Sequence, residues 1–181
     1  MLEAAGVAVE VYPADIDERG MESASPAQSP RAVAAMLARE KASTVARDNA
    51  GRLVLGADQT LALGIERLTK PVDRAAARAQ LRALSGRTHE LFSAVALVQD
   101  RRVLFEHVES ARLTMRSLSD RFLDLYLDAA GEAATASVGA YQIEGLGIQL
   151  FERVDGDHFT IMGLPLLPVL EFLRRHGCLA S

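Results

Sequence analysis

The chain has 181 residues, 49% apolar and 24% charged, a balance that suits one globular domain or two lobes sharing a core. A net charge of −4 gives no support to a nucleic-acid surface or a membrane patch, and no apolar run approaches the roughly 20 residues that span a bilayer. One cysteine, Cys178, excludes an intrachain disulfide and fits a reducing cytoplasm, and MLEAAGVAVEV has no basic n-region of the kind that opens a signal peptide.

MLEAAG reads as the last turn of a helix closed by Gly6, an abrupt beginning. VAVEVY then alternates as a strand would and stops at Pro13. The polar segment DIDERGMESASPAQSP reads as a loop. Ser29 and Pro30 form an N-cap and first-turn pair for a helix reaching about Asn49 and closed by Gly51, with Val33, Met36, Leu37 and Val45 apolar. Lys41 falls four residues after Leu37 and four before Val45, on the side of the apolar stripe. A lysine there either snorkels at the stripe's edge or serves a site.

Residues 52–58 read as a strand that climbs through LVLGA to Asp58. A carboxylate at the end of a buried strand either starts a turn or has a partner such as a metal ion, a lysine or a water. TLALGIERLTKP reads as a short hairpin about Gly64 that ends at Lys70-Pro71. Asp73 caps a helix stopped by Ser85-Gly86. Thr88–Leu97 and Val103–Met115 are expected to be long strands joined by the turn QDRR. A further helix starts at Ser119 or Asp120 and ends near Gly131. SVGAYQIEGLGIQLFERVDGDHFT is glycine-rich and then strand-like, with a turn at 155–157. A last helix runs from about Pro165 to His176. Helices and strands alternate without a clean βαβ rhythm, which predicts a mixed sheet in one continuous α/β fold.

Several chemistries lack their residues. There is no Gly-x-Ser-x-Gly elbow, no dinucleotide fingerprint and no P-loop. His89, His107, His158 and His176 are scattered without ligand spacing. What remains is a set of carboxylates and lysines at element ends: Glu18, Lys41, Asp58, Lys70 and Glu144. Oxygen-rich acids with lysines nearby suit a magnesium-type ion and a phosphate chain.

In order, DIDE, LAREKA, LGADQT, TKP, LSGRTH, GAY-x-I-x-G, GDHFT and GLPL resemble the motifs of the Maf nucleotide pyrophosphatases, over nearly the whole chain. The resemblance implies one Maf-like domain over residues 1–181, a Ham1-like (ITPase-like) elongated α/β fold with two lobes, a mixed twisted sheet and a cleft. It also implies cleavage of a nucleoside triphosphate to the monophosphate and pyrophosphate with a divalent cation, Mg2+ or Mn2+. Asp58 matches the proton acceptor of the family's Gly-Ala-Asp motif. Glu18 matches the acid expected to share the metal with Asp58. Lys41 and Lys70 match lysines that would neutralise triphosphate oxygens.

Two positions bear on the base. Gln59, and Glu144 followed by Gly145, stand where pyrimidine-preferring members carry Thr and Gln. In this they resemble the branch acting on 7-methyl-GTP. A carboxylate at 144 suits a guanine edge, because it can accept hydrogen bonds from N1–H and the amino group. The family's opening strand and Ser-x-Ser-Pro-Arg loop have no counterpart before MLEAAG; a start placed too late is the expected cause, and a real loss of activity is the alternative. Thr69 replaces a usual glycine before Lys-Pro, and SVGAY departs from the common Asp-Lys-Ala-Gly-Ala-Tyr. The expected protein is a cytoplasmic enzyme without nucleic-acid or membrane partners, with a two-fold homodimer as the default assembly. The alternative is a nucleotide-binding regulator of septum formation with weak or no hydrolysis.

Overall fold

The computed structural model describes residues 1–24 and 28–180. Positions 25–27 of the expected polar loop lie outside them. The elements, in order, are α1 (Glu18–Ala24), α2 (Pro30–Arg47), β1 (Val54–Leu63), β2 (Glu66–Leu68), α3 (Arg74–Leu84), β3 (Thr88–Gln99) and β4 (Arg102–Met115). They continue as α4 (Asp120–Ala130), α5 (Ala133–Ala136), β5 (Phe151–Asp155), α6 (His158–Ile161) and α7 (Leu166–Arg175). The strands form one sheet in the order β2-β1-β3-β4-β5. Pairing is antiparallel at both edges, β1 with β2 and β4 with β5. This is an α/β fold.

The chain divides into two compact units. The first comprises Met1–Gln59, Phe92–Glu109 and Asp157–Ser181, and the second Thr60–Leu91 and Ser110–Gly156. In the first unit, strand alternation sorts side chains into two rows. Val54 of β1 and Ala96 and Val98 of β3 pack with Ala42 and Ala46 of α2. The opposite row, Leu53, Leu55 and Ala57 with Val95 and Leu97, packs with Leu166, Val169 and Leu173 of α7. The buried alanines of α2, at 34, 38, 42 and 46, repeat every fourth residue, so one narrow face meets the sheet. Contact there is close: a Cβ added at Gly56 would lie 2.3 Å from the Ala38 carbonyl oxygen and 2.6 Å from the Ala42 nitrogen.

In the second unit, α3 and α4 bury Leu81, Leu84, Leu123 and Leu127. Arg78 on α3 bonds Asp120 and Asp124 on α4. In the same unit Tyr141 meets Phe151 edge-on at 4.9 Å between ring centroids.

Local signals account for most boundaries. Ser29 Oγ accepts a bond from the Ala32 N–H at the start of α2, Asp73 Oδ1 one from Ala76 on α3, and Ser119 Oγ one from Phe122 on α4. Gly6 and Gly64 take positive φ at the turns expected of them. Asp100 and Arg101 do so as well (φ 47° and 65°) and form the two-residue turn between β3 and β4.

Three expectations need correction. VAVEVY is not a strand: residues 7–17 lie outside any helix or strand, and the backbone bonds seen for them are short-range ones at the two ends, Val7 to Leu2, Glu18 to Ile16 and Met21 to Asp17. Val9, Val11 and Tyr12 are exposed there, so the alternation marks no buried face. Inside the expected polar loop, Glu18–Ala24 is helical, and Asp17 Oδ1 accepts a bond from the Gly20 N–H at its start. The strand ending in Asp58 does not stop there but continues to Leu63, since Thr60 to Leu63 are buried and carry the apolar run onward.

Candidate active site

Three of the residues singled out from the sequence meet in the first unit. The Lys41 ammonium donates to Asp58 Oδ1 at 2.7 Å and lies 2.8 Å from Glu18 Oε1. The fold explains the meeting. Asp58 is two residues beyond Gly56, so it points to the same side of β1, toward α2. Lys41 stands between the buried Ala38 and Ala42, on the face of α2 that meets β1. Its alkyl stem is half-buried and its head reaches the two acids. Glu18 arrives from the first residue of α1. The neighbouring Glu40 pairs elsewhere, with Thr44 and Arg47.

Electrostatics separates the partners. Burial pushes the pKa of Asp58 up, against the opposing pull of Lys41. Burial alone would lower the Lys41 pKa, but its bonds and charges with Asp58 and Glu18 outweigh burial and raise it. Lys41 therefore stays charged, and Asp58 is a more basic carboxylate than one in water. A cavity of about 540 Å3 opens beside this cluster, lined by Glu18, Lys41, Asn49, Arg52 and Gly56 among others. That volume lies within the range of small-molecule sites.

The donor set fits a hard divalent ion of the magnesium type. The two carboxylates converge on the Lys41 ammonium, and such ions are commonly held by one or two carboxylates together with substrate phosphate oxygens. Asp58 and Glu18 would hold it. Among the described residues there is no cluster of three or more acid, histidine or cysteine ligands.

Gln59 points away from Asp58, as the next residue on a strand must. Its Nε2 donates to Ser93 Oγ at 2.8 Å and to the carbonyl oxygens of Thr160 and Ile161, each at 3.1 Å. Ser93 Oγ in turn donates to the Thr160 carbonyl, and the Thr160 N–H to Asp157 Oδ2, which caps α6. Sequence reasoning did not single out Ser93, Thr160 or Asp157. The available signal was GDHFT itself, where an Asp three residues before a Thr is a helix-capping spacing.

Lys70, Glu144 and Gly145 belong to the second unit. Lys70 is exposed just past β2, and the preceding Thr69 carbonyl accepts a bond from Gln80 Nε2 on α3. Glu144 and Gly145 are exposed in a tight turn, where the Gly145 N–H bonds the Gln142 carbonyl oxygen at 3.2 Å.

The model of the family described as Maf-like protein matches residues 1–176. A protein of Bradyrhizobium diazoefficiens named nucleoside triphosphate pyrophosphatase is 57% identical over 180 residues, covering 99% of this chain and 89% of its own. One of the same name from Rhodopseudomonas palustris (strain BisB18) is 56% identical with the same coverage. A Mesorhizobium japonicum protein named 7-methyl-GTP pyrophosphatase is 54% identical over 183 residues, covering 99% of this chain and 91% of its own. With the family model spanning nearly all of it and relatives this similar, the chain belongs to the Maf-like protein family.

Proposed function

We propose that this protein is a nucleoside triphosphate pyrophosphatase acting on modified or non-canonical nucleotides, with 7-methyl-GTP as the favoured substrate. The observation that carries the reading is Lys41 shared between Asp58 and Glu18 beside a cavity of about 540 Å3. The names of the relatives support the same reaction.

In this reading Asp58 accepts a proton from a water that attacks the α-phosphorus. The bond from that phosphorus to the bridging oxygen breaks, and pyrophosphate leaves with the electron pair. A carboxylate whose pKa burial has raised is better suited to take that proton. Lys41 holds Asp58 in orientation and offers its positive charge to the phosphate oxygens; for Lys70 the role of neutralising charge on the leaving pyrophosphate rests on the family resemblance alone. For Glu144, followed by Gly145, the role of accepting hydrogen bonds from the base edge rests likewise on the resemblance and on the chemistry of a carboxylate. Gln59 lies on the other face of β1 from Asp58, its amide nitrogen committed to Ser93, Thr160 and Ile161, so its part is to brace β1 against the 157–161 segment. A divalent cation between Asp58 and Glu18 would supply charge neutralisation and Lewis acidity at the phosphates.

The test is a competition among 7-methyl-GTP, GTP, dTTP and UTP at equal concentration with Mg2+ or Mn2+, following pyrophosphate and each monophosphate. The expected order places 7-methyl-GTP first. A preference for dTTP removes the 7-methyl-GTP assignment, and no pyrophosphate from any of the four removes the enzyme.

A further inference from the structure

In the second unit, His89 on β3 is 1% exposed, and its Nε2 makes a 2.8 Å hydrogen bond with the Tyr141 hydroxyl. Among the described residues its Nδ1 has no partner, so Tyr141 is the imidazole's one polar contact. The rings also pack together, His89 lying 5.7 Å from Tyr141 and 5.9 Å from Phe151 between centroids. Nothing in the reaction proposed above uses this pair.

Its place in the chain is the clue. Tyr141 is buried, and the exposed segment that carries Glu144 and Gly145 begins at the next residue. The segment is fixed again at Gly147, where an added Cβ would lie 2.4 Å from the Gln142 carbonyl oxygen. Just before Tyr141, Ala140 holds a left-handed backbone (φ 61°), a conformation costly for a residue with a side chain. The Tyr126 hydroxyl donates to its carbonyl at 3.1 Å. Gly139 must be glycine, since a Cβ there would lie 2.6 Å from the Tyr141 ring and from Leu61 Cδ1. An exposed turn with few apolar contacts of its own keeps one shape only if its ends are held. Here one end hangs from two buried bonds.

We propose that His89 is a positioning residue for nucleotide selection: through the Tyr141 hydroxyl it fixes the segment 140–147 that presents Glu144 to the base. The proposal rests on the reading of Glu144 as the group that meets the base. The imidazole suits the task because burial lowers its pKa to about 4, so the bond remains between neutral groups near neutral pH. A pre-shaped turn loses less entropy on binding, and the gain belongs to substrate affinity rather than to the chemical step.

Four variants test this: Tyr141→Phe, His89→Leu, His89→Gln and Glu144→Gln. Steady-state kinetics on the four nucleotides is combined with hydrogen exchange of the Gly145 and Ile148 amides, which donate to the Gln142 and Gly145 carbonyls. Tyr141→Phe and His89→Leu are expected to raise KM for the preferred nucleotide about fivefold, with kcat within about twofold of wild type. They are also expected to speed exchange of both amides about tenfold. His89→Gln keeps a donor near the hydroxyl and restores both. A fall in kcat at constant KM, or an unchanged KM for every nucleotide, overturns the proposal. If wild type releases no pyrophosphate, or Glu144→Gln leaves the preference intact, the underlying functional reading fails instead. The anchor is then judged on exchange alone: unchanged protection in Tyr141→Phe overturns it, and tenfold faster exchange upholds the anchoring.

Discussion

Lys41 on α2 and Asp58 on β1 are joined by a 2.7 Å charged hydrogen bond whose carboxylate side chain is only 11% exposed. Removing either side of such a pair leaves the other charge in a partly dry place. Asp58→Asn keeps the shape and a weaker bond to Lys41 while removing the proton acceptor. Pyrophosphate release is expected to fall about 10²- to 10⁴-fold, with little change in melting temperature. Activity within threefold of wild type would refute the assignment of Asp58.

Lys41→Met has a different signature. Glu18 and Asp58 lose the cation they share, and the Asp58 pKa, already raised by burial, is expected to move further up. The acid limb of the pH–kcat profile shifts to higher pH. Stability drops by about 2 kcal/mol at pH 7, less than the roughly 3–5 kcal/mol for breaking a fully buried pair because Lys41 is partly solvated. Denaturant unfolding at pH 7 together with rate profiles from pH 5 to 9 would reveal both.

Gly56→Ala probes the contact of α2 with β1. The new methyl would meet the Ala38 carbonyl oxygen and the Ala42 nitrogen at 2.3 and 2.6 Å, and neither backbone atom can yield without moving the helix that carries Lys41. A loss of at least about 2 kcal/mol is expected, accompanied by lower kcat. Thermal melts and turnover should fall together, whereas a loss confined to stability would show that Lys41 tolerates displacement of α2.

His89 makes stability depend on pH. Its folded pKa is lowered from 6.5 to about 4 by burial, so between those values the unfolded chain binds more protons than the folded one. The contribution is complete above pH 6.5, declines as pH falls through that window and is gone below about 4. The whole effect is about 3 kcal/mol. Urea midpoints at pH 7, 5.5 and 4.5 measure it, and His89→Gln should flatten this part of the profile.

Arg101→Gly should stabilise. Arg101 is exposed and holds φ 65° in the β3–β4 turn, a conformation glycine adopts without strain. A gain of about 0.5–1 kcal/mol is expected, with turnover unaffected. An unchanged or lower melting temperature would mean that the turn is not strained at that residue.

Where patterns are local, the sequence was readable. Ser29-Pro30, Asp73 and Ser119 announced their helices, and the strands on either side of Asp100-Arg101 were visible in their alternation. VAVEVY misled because alternation reports a strand only if another backbone pairs with it, and that partner cannot be seen in six residues. The Lys41–Asp58–Glu18 cluster was legible as residue types through resemblance, but not as a geometry. From its helix alone Lys41 read more readily as a snorkelling side chain, because its stripe says nothing of β1 opposite. His89 was passed over for lacking ligand spacing. Its importance lies in a bond to a residue 52 positions away, which no local window contains.

The two-row arrangement of β1 also limits how its length can vary. Deleting one residue between Leu53 and Ala57 would turn Gln59 toward α2 and Asp58 toward the face of Leu55 and α7, exchanging a charge for an amide in both layers at once. No point substitution could compensate, because every side chain in the stretch changes sides together. The tip at Gly64, where Ile65 is 99% exposed, is free of that constraint, and an insertion there lengthens the loop without reversing either row. Chains that keep this arrangement are therefore expected to share one fixed spacing from Gly56 to Gln59 and to vary in length at the β1–β2 tip.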